Sequence, residues 1–430
     1  MRFLLVTLVS ASLTPGLAGA KPVITSSEET LAQVCLGYDR PTEQLITACR
    51  AALDGQDMTV QERADLQSAL GYALRDMEED EQAEDAFRAA LDLDPTGTRA
   101  RNGLGWVYYD RQDYDRAVVE FQASVDFRAS EDGLGGLGAA LWRSDQADGE
   151  TALTWLEAAL AIDPEDGWTL RETGWINLDI GRYPAAHAAF DAALAVRHDD
   201  WNAHYGRARV FEMQDDFEAA LLALNAAVLA DPDVAWIYGK RAYILRLLDR
   251  NAQAVTDAER MISMAPAAAN GYTQKGLALN ELERRAAALE SFEAGIAAGA
   301  ANNFLLYWYA DVLSDDAQFD RAAEIIDRAI ATGDADASDH SLRAYIAVER
   351  RSYPEALEAA ETALSMDPEM AYPHYYAAVA LVNADKLDAG LERFDQAMRA
   401  GLDSYMVGVF AADLLSAGKP FAALALRRKY

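Results

Sequence analysis

Histidine, cysteine and carboxylate side chains are where this 430-residue chain could do chemistry, and it holds five histidines and two cysteines. Zinc-assisted hydrolysis needs two histidines one helical turn apart with a glutamate between them. Acyl transfer needs a nucleophile on a sharp strand-to-helix turn, and phosphate chemistry a glycine-rich loop opening a helix. No HExxH, CxxC, GxSxG or P-loop pattern is present. Cys35 and Cys49 have no third cysteine or histidine nearby in sequence, which leaves no zinc set. They are expected to form a disulfide in an exported chain, the alternative being two buried free thiols. The acidic run Asp76, Glu78, Glu79, Asp80, Glu81, Glu84 and Asp85 reads as a solvated turn. Asp334, Asp336 and Asp339 lack the central glycine and distal glutamate of a calcium loop. No catalytic residue, metal ligand or cofactor site is therefore expected, and the chain reads as a non-enzyme.

Composition narrows the partners. Seventy acidic residues face 38 basic ones, a balance that repels phosphate backbones and anionic membranes, so nucleic acid is not expected. Basic partners remain open, beside plain solubility. A hydrophobic content of 51% suffices for a continuous core. Residues 1–20 read as a signal peptide: Arg2, an apolar run from Phe3 to Leu13, the helix breakers Pro15 and Gly16, and Ala18-Gly19-Ala20 before Lys21. That run is too short to span a bilayer. The expectation is a periplasmic or secreted protein with no membrane insertion after signal cleavage.

A 34-residue period supplies the elements that must position any site. Leu70-Gly71, Ala83, Phe87, Ala90 and Pro95 return as Leu104-Gly105, Tyr108, Ala117 and Phe121. With Ala64 as first position, units begin near Thr98, Glu131, Gly167, Trp201, Ala235, Ala269, Asn303, Ala337 and Ala371. The third carries two extra residues around Gln146–Asp148. A small residue recurs at Ala83, Ala117, Ala152, Ala186, Ala220, Ala254, Ala288, Ala322, Ala356 and Gly390, where close helix approach excludes anything larger. Four residues on, the same stripe carries Phe87, Phe121, Leu156, Phe190, Leu224, Phe292, Ile326 and Phe394, with Ala258 and Ala360 as exceptions.

This pattern resembles the tetratricopeptide repeat (L-G-x2-Y, then A-x3-F, then Pro). The resemblance implies an all-α, right-handed superhelical solenoid of antiparallel helix pairs. It divides the chain into the signal peptide, a Cys-containing helical hairpin at 21–63, about ten repeats at 64–402, and capping helices at 403–430. In such repeats the first helix of each pair lines a concave groove where ligands lie. By that register the groove holds Trp106, Trp168, Trp175, Tyr205, Trp236, Tyr243, Phe304, Tyr307, Tyr345, Tyr372 and Tyr375. It also carries an acidic row at the thirteenth position: Asp76, Asp110, Asp179, Glu281, Asp315 and Glu349. Asp179, Glu281 and Asp315 are taken with the aromatics as candidate partner contacts. The lysine–asparagine set that grips acidic chain ends in one branch of the family is not matched. His204, His340 and His374 share the fourth position, a packing position. The expected function is a scaffold or adaptor holding a peptide or protein segment, basic segments included, outside the cytoplasm. The alternative is a structural part of an envelope export or assembly machine.

Overall fold

A computed structural model describes residues 30–37, 40–55 and 57–430; the signal peptide expected at 1–20 lies outside them. Among the described residues all regular structure is helical, in 24 helices. None is long and apolar enough to cross a membrane. The chain forms two compact units, dividing between Pro164 and Glu165.

In the first unit, α1 (Leu31–Leu36) and α2 (Thr42–Leu53) form a hairpin. Three pairs follow: α3 (Val60–Arg75) with α4 (Asp80–Leu93), α5 (Thr98–Asp110) with α6 (Tyr114–Phe127), and α7 (Glu131–Arg143) with α8 (Gly149–Ile162). The hairpin is closed by a Cys35–Cys49 disulfide, as expected, with both cysteines buried. The helix expected from Ala64 begins four residues earlier, at Val60. Thr59 accepts from the Glu62 amide (3.2 Å), and the Glu62 carboxylate accepts from the Thr59 amide (2.7 Å). This reciprocal cap satisfies two otherwise orphaned donors and fixes the start.

The second unit contains α9 (Gly167–Asp179) and α10 (Tyr183–Val196), α11 (Trp201–Glu212) and α12 (Phe217–Ala230), and α13 (Ala235–Leu247) and α14 (Asn251–Met264). These are followed by α15 (Ala269–Glu281) and α16 (Arg285–Ala297), α17 (Asn303–Asp315) and α18 (Phe319–Ile330), α19 (Ala337–Glu349) and α20 (Tyr353–Met366), and α21 (Ala371–Asn383) and α22 (Leu387–Arg399). A last hairpin is formed by α23 (Met406–Ser416) and α24 (Pro420–Lys429).

The stripe read from the sequence is the core of each pair. All nine crossing alanines are 0% exposed, as is every residue four positions on. At Gly390 an added Cβ would lie 2.7 Å from Val382 and 3.0 Å from the Ala378 carbonyl, so even alanine is too large there. Phe87, Phe121 and Phe190 fill their volume in a particular way. Each ring is gripped by a glycine of its own first helix and one of the next. For Phe190 these are Gly174 and Gly206, whose added Cβ atoms would sit 2.6 and 2.3 Å from the ring.

Every pair turns through the same left-handed residue: Glu78, Gln112, Asp145, Gly181, Asp215, Asp249, Glu283, Ala317, Arg351 or Asp385. The amide after it bonds back five residues, as Gln318 does to the Leu313 carbonyl (2.9 Å), closing the last turn of the first helix. In the third pair that residue precedes its second helix by four positions rather than two, which places the extra residues at Gln146 and Ala147. Nine of the ten left-handed residues carry a Cβ, at φ between 55° and 60°, which disfavours that conformation by about 1–2 kcal/mol. Ala317→Gly removes this strain but adds about 0.4–1 kcal/mol of unfolded-state freedom. A net gain of about 0.5 kcal/mol is expected in denaturant unfolding, and a loss would show that the turn is unstrained.

Candidate functional site

Successive first helices pack on one another: α3 on α5, α5 on α7, α9 on α11, α13 on α15, and onward to α21 on α23. No comparable packing joins successive second helices. The first helices therefore lie closer together, and their side is the inner face of each unit.

On this face the second unit carries a continuous aromatic series. Trp175 on α9 lies 5.6 Å from Tyr205 on α11, which packs edge-on against Trp236 on α13 at 4.6 Å. Trp175 is held by an edge contact to Phe190 and donates from Nε1 to Asn202 (3.0 Å). Trp236 remains 40% exposed, and Phe304 and Tyr372, two and four units further on at the same repeat position, are 43% and 42% exposed. Trp168 is half-buried. Such rings bury much area with few rotors, the property of an anchor. Tyr243 is half-buried with the Lys240 ammonium 4.9 Å from its ring centre. Tyr307 and Tyr345 are half-buried as well.

Two expected groove rings are packing residues instead. Trp106, 8% exposed, donates to Asp132 (2.5 Å), abuts Phe121 and lies beneath the Arg75 guanidinium. Tyr375, 7% exposed, donates its hydroxyl to Asp413 on α23 (2.8 Å). In both cases the next unit closes over a ring whose own helix register faces inward.

The acidic row is divided. Asp110 pairs with Arg75 (2.7 Å) and Glu281 with Arg246 (2.5 Å), each arginine coming from the unit before. Asp179 and Asp315 are exposed and make no ion pair among the described residues. Sequence reasoning missed Asp311, which sits one turn before Asp315. Comparison of the ninth position across units would have exposed it as the one acid in a column of mostly aromatic and apolar residues. Tyr376, beside Tyr345 (5.8 Å), was missed too.

The fourth-position rings have a shared task. Tyr238 and Tyr272 donate to the carbonyls of Pro232 and Pro266 (3.0 Å each), and His374 and His204 reach the carbonyls of Pro368 and His198 through Nε2. Each latches the loop leading into its own helix. Burial holds the His340 and His374 imidazoles below the usual histidine range. Among the described residues, no three His, Cys, Asp or Glu side chains are grouped so as to hold a metal ion.

Comparison with known proteins finds tetratricopeptide repeats within both units: the family model of that description matches residues 68–133, 172–235 and 341–404. A "Protein STIP1 homolog" of Dictyostelium discoideum is 34% identical over 104 residues, 24% of this chain and 18% of its own length. "Mitochondrial import receptor subunit TOM70" of Homo sapiens is 24% identical over 233 residues, 51% of this chain and 38% of its own. The chain thus spans well under half the length of these relatives. The crystal structure of the yeast Tom70 aligns with a TM-score of 0.48 at 14% identity, covering 90% of this chain and 93% of that one.

Proposed function

We propose that the protein is a non-enzymatic interaction scaffold that holds a peptide or protein segment along the inner face of its tetratricopeptide repeats, outside the cytoplasm. The observation carrying this reading is the Trp175–Tyr205–Trp236 series, which runs across three successive first helices and leaves its last ring 40% exposed. Its rings are preorganised by edge contacts, so a ligand laid over them need not order them at its own expense. The relatives' names support the scaffold reading, one being an import receptor subunit. The leader pattern at 1–20 supports the location. Asp179 and Asp315 favour a segment carrying lysine or arginine, with charge at the rim steering the encounter.

The test begins with affinity capture from an envelope extract and continues with the captured segment. Trp236→Ala is expected to weaken its binding by about 2 kcal/mol, mostly through a faster off-rate. Asp179→Asn is expected to slow association and flatten its salt dependence. Undiminished affinity in both variants, each folded by circular dichroism, moves the site off the inner face.

A further inference from the structure

Along the inner face of the second unit, the carboxylates change character after α15. Upstream, apart from the exposed Asp179, they are matched: Glu212 bridges Arg209 (3.2 Å) and Lys240 (2.5 Å), and Glu281 takes Arg246. From α17 onward they are not. Asp311, Asp315, Glu349 and Asp413 make no ion pair among the described residues, and Arg285 reaches only the main-chain carbonyl of Asp315 (3.3 Å). Two like charges one turn apart weaken a helix, and Asp315 ends α17, where the macrodipole opposes an anion. Burial, and then Asp315, push the Asp311 carboxyl up to about 6. Burial likewise raises Glu349 and Asp413.

Aromatic rings surround these charges. Tyr307 lies 5.2 Å from Trp308 on α17, Tyr345 on α19 lies 5.8 Å from Tyr376 on α21, and Tyr372 lies 6.2 Å from Tyr376. Tyr345 is within electrostatic reach of Asp311, Asp315 and Glu349, and Tyr376 of Tyr345 and Tyr307, so three helices contribute to one patch. The Tyr376 hydroxyl has no hydrogen-bond partner among the described residues, whereas that of neighbouring Tyr375 is spent on Asp413. Anions with no partner beside aromatic rings are the complement of an organic cation, whose charge is drawn to both and whose apolar stem lies on the rings.

We propose that α17, α19 and α21 form a site for one lysine or arginine side chain of the polypeptide ligand, its charge against Asp311 and Asp315 and its stem across Tyr307, Tyr345 and Tyr376. This rests on the inner-face reading above and adds where the basic residue docks. The neighbouring charges leave the site to the ligand. Glu281 on α15 is held by Arg246, Arg285 on α16 lies by Asp316, and Arg321 on α18 is engaged with Glu293. The groups from α19 are Tyr345, Glu349 and, beside Tyr307, Asp339, which accepts from the Asn303 amide (3.0 Å). A bound cation favours ionised Asp311, so binding strengthens as pH rises through about 6. The unliganded protein behaves oppositely. Its Asp311 holds the proton more tightly folded than unfolded, so stability from this group is lost as pH rises through the same value.

The probe is a fluorescent library of twelve-residue apolar peptides with one central arginine, read by anisotropy against the same library with uncharged citrulline. At pH 7.5 the arginine library is expected to bind at least about tenfold more tightly. That preference should shrink at pH 5 and vanish in Asp311→Asn/Asp315→Asn, while the unliganded double variant melts higher than wild type. Equal binding of the two libraries, weakened by Trp236→Ala, overturns the cation site and leaves the inner-face reading standing. Failure of both libraries to bind overturns both readings. Calcium chloride raising the melting temperature of wild type but not of the double variant overturns the proposal in favour of a metal.

Discussion

Phe190→Ala is expected to lower the stability of the second unit by about 3–5 kcal/mol, the range for emptying a fully buried phenylalanine site. The loss should fall at the high end, because the ring is held by two helix backbones rather than by side chains that can relax. A methyl built on Gly174 or Gly206 would lie 2.6 or 2.3 Å from it. Gly206→Ala alone should therefore cost about 1–3 kcal/mol by overpacking, against the stabilising trend of glycine to alanine within a helix. Combined with Phe190→Ala, the same substitution places its methyl in the vacated space and recovers part of the loss. A double-mutant cycle in chemical denaturant should give a coupling of about 1–3 kcal/mol. Simple additivity would mean that ring and glycine do not share one volume.

The second large effect lies at the other end of the chain. Cys35→Ala/Cys49→Ala is expected to cost about 3 kcal/mol, since the bridge closes a loop of sequence separation 14. Both cysteines are buried and the hairpin they close packs on α3, with Cys35 Sγ 3.9 Å from the Leu66 carbonyl. In a repeat array, stability is passed on between neighbours only. Hydrogen exchange should therefore accelerate in α1 and α2, less in α3, and not at all in the second unit. Faster exchange throughout the second unit would contradict nearest-neighbour coupling.

The architecture was legible because one spacing repeats ten times. A crossing alanine and a bulky residue four positions on mean little once, but in a shared register they identify the buried stripe. The start of α3 was also legible and overlooked: Thr59 and Glu62 stand at capping-box spacing. The left-handed turns were not legible. Their occupants include Glu78, Gln112, Ala317 and Arg351, none of which favours positive φ, so the conformation is imposed by the helices on either side. The candidate site was half legible. Register says which way a side chain leaves its own helix but not how far the next unit closes over it, which is why Trp106 and Tyr375 were read as groove rings. Nor does register show that Arg75 and Arg246 reach across to neutralise the row one unit later. What remained of that row drew attention to Asp315 and away from Asp311, whose isolation from any cation only three-dimensional packing reveals.

The glycine grips bear on how freely such a chain can be rearranged by recombination. Excising residues 201–234 would keep the helical phase intact and bring α13 next to α10. Phe190 would then meet Lys240, which holds in that unit the position of Gly206. An ammonium and its stem would be driven into the space of a ring that tolerates no methyl. Equal length thus does not make the units interchangeable parts. The Phe87, Phe121 and Phe190 units each specify their successor, and gain or loss of a repeat is open at borders where no ring has to be received, such as those after Ala258 and Ala360.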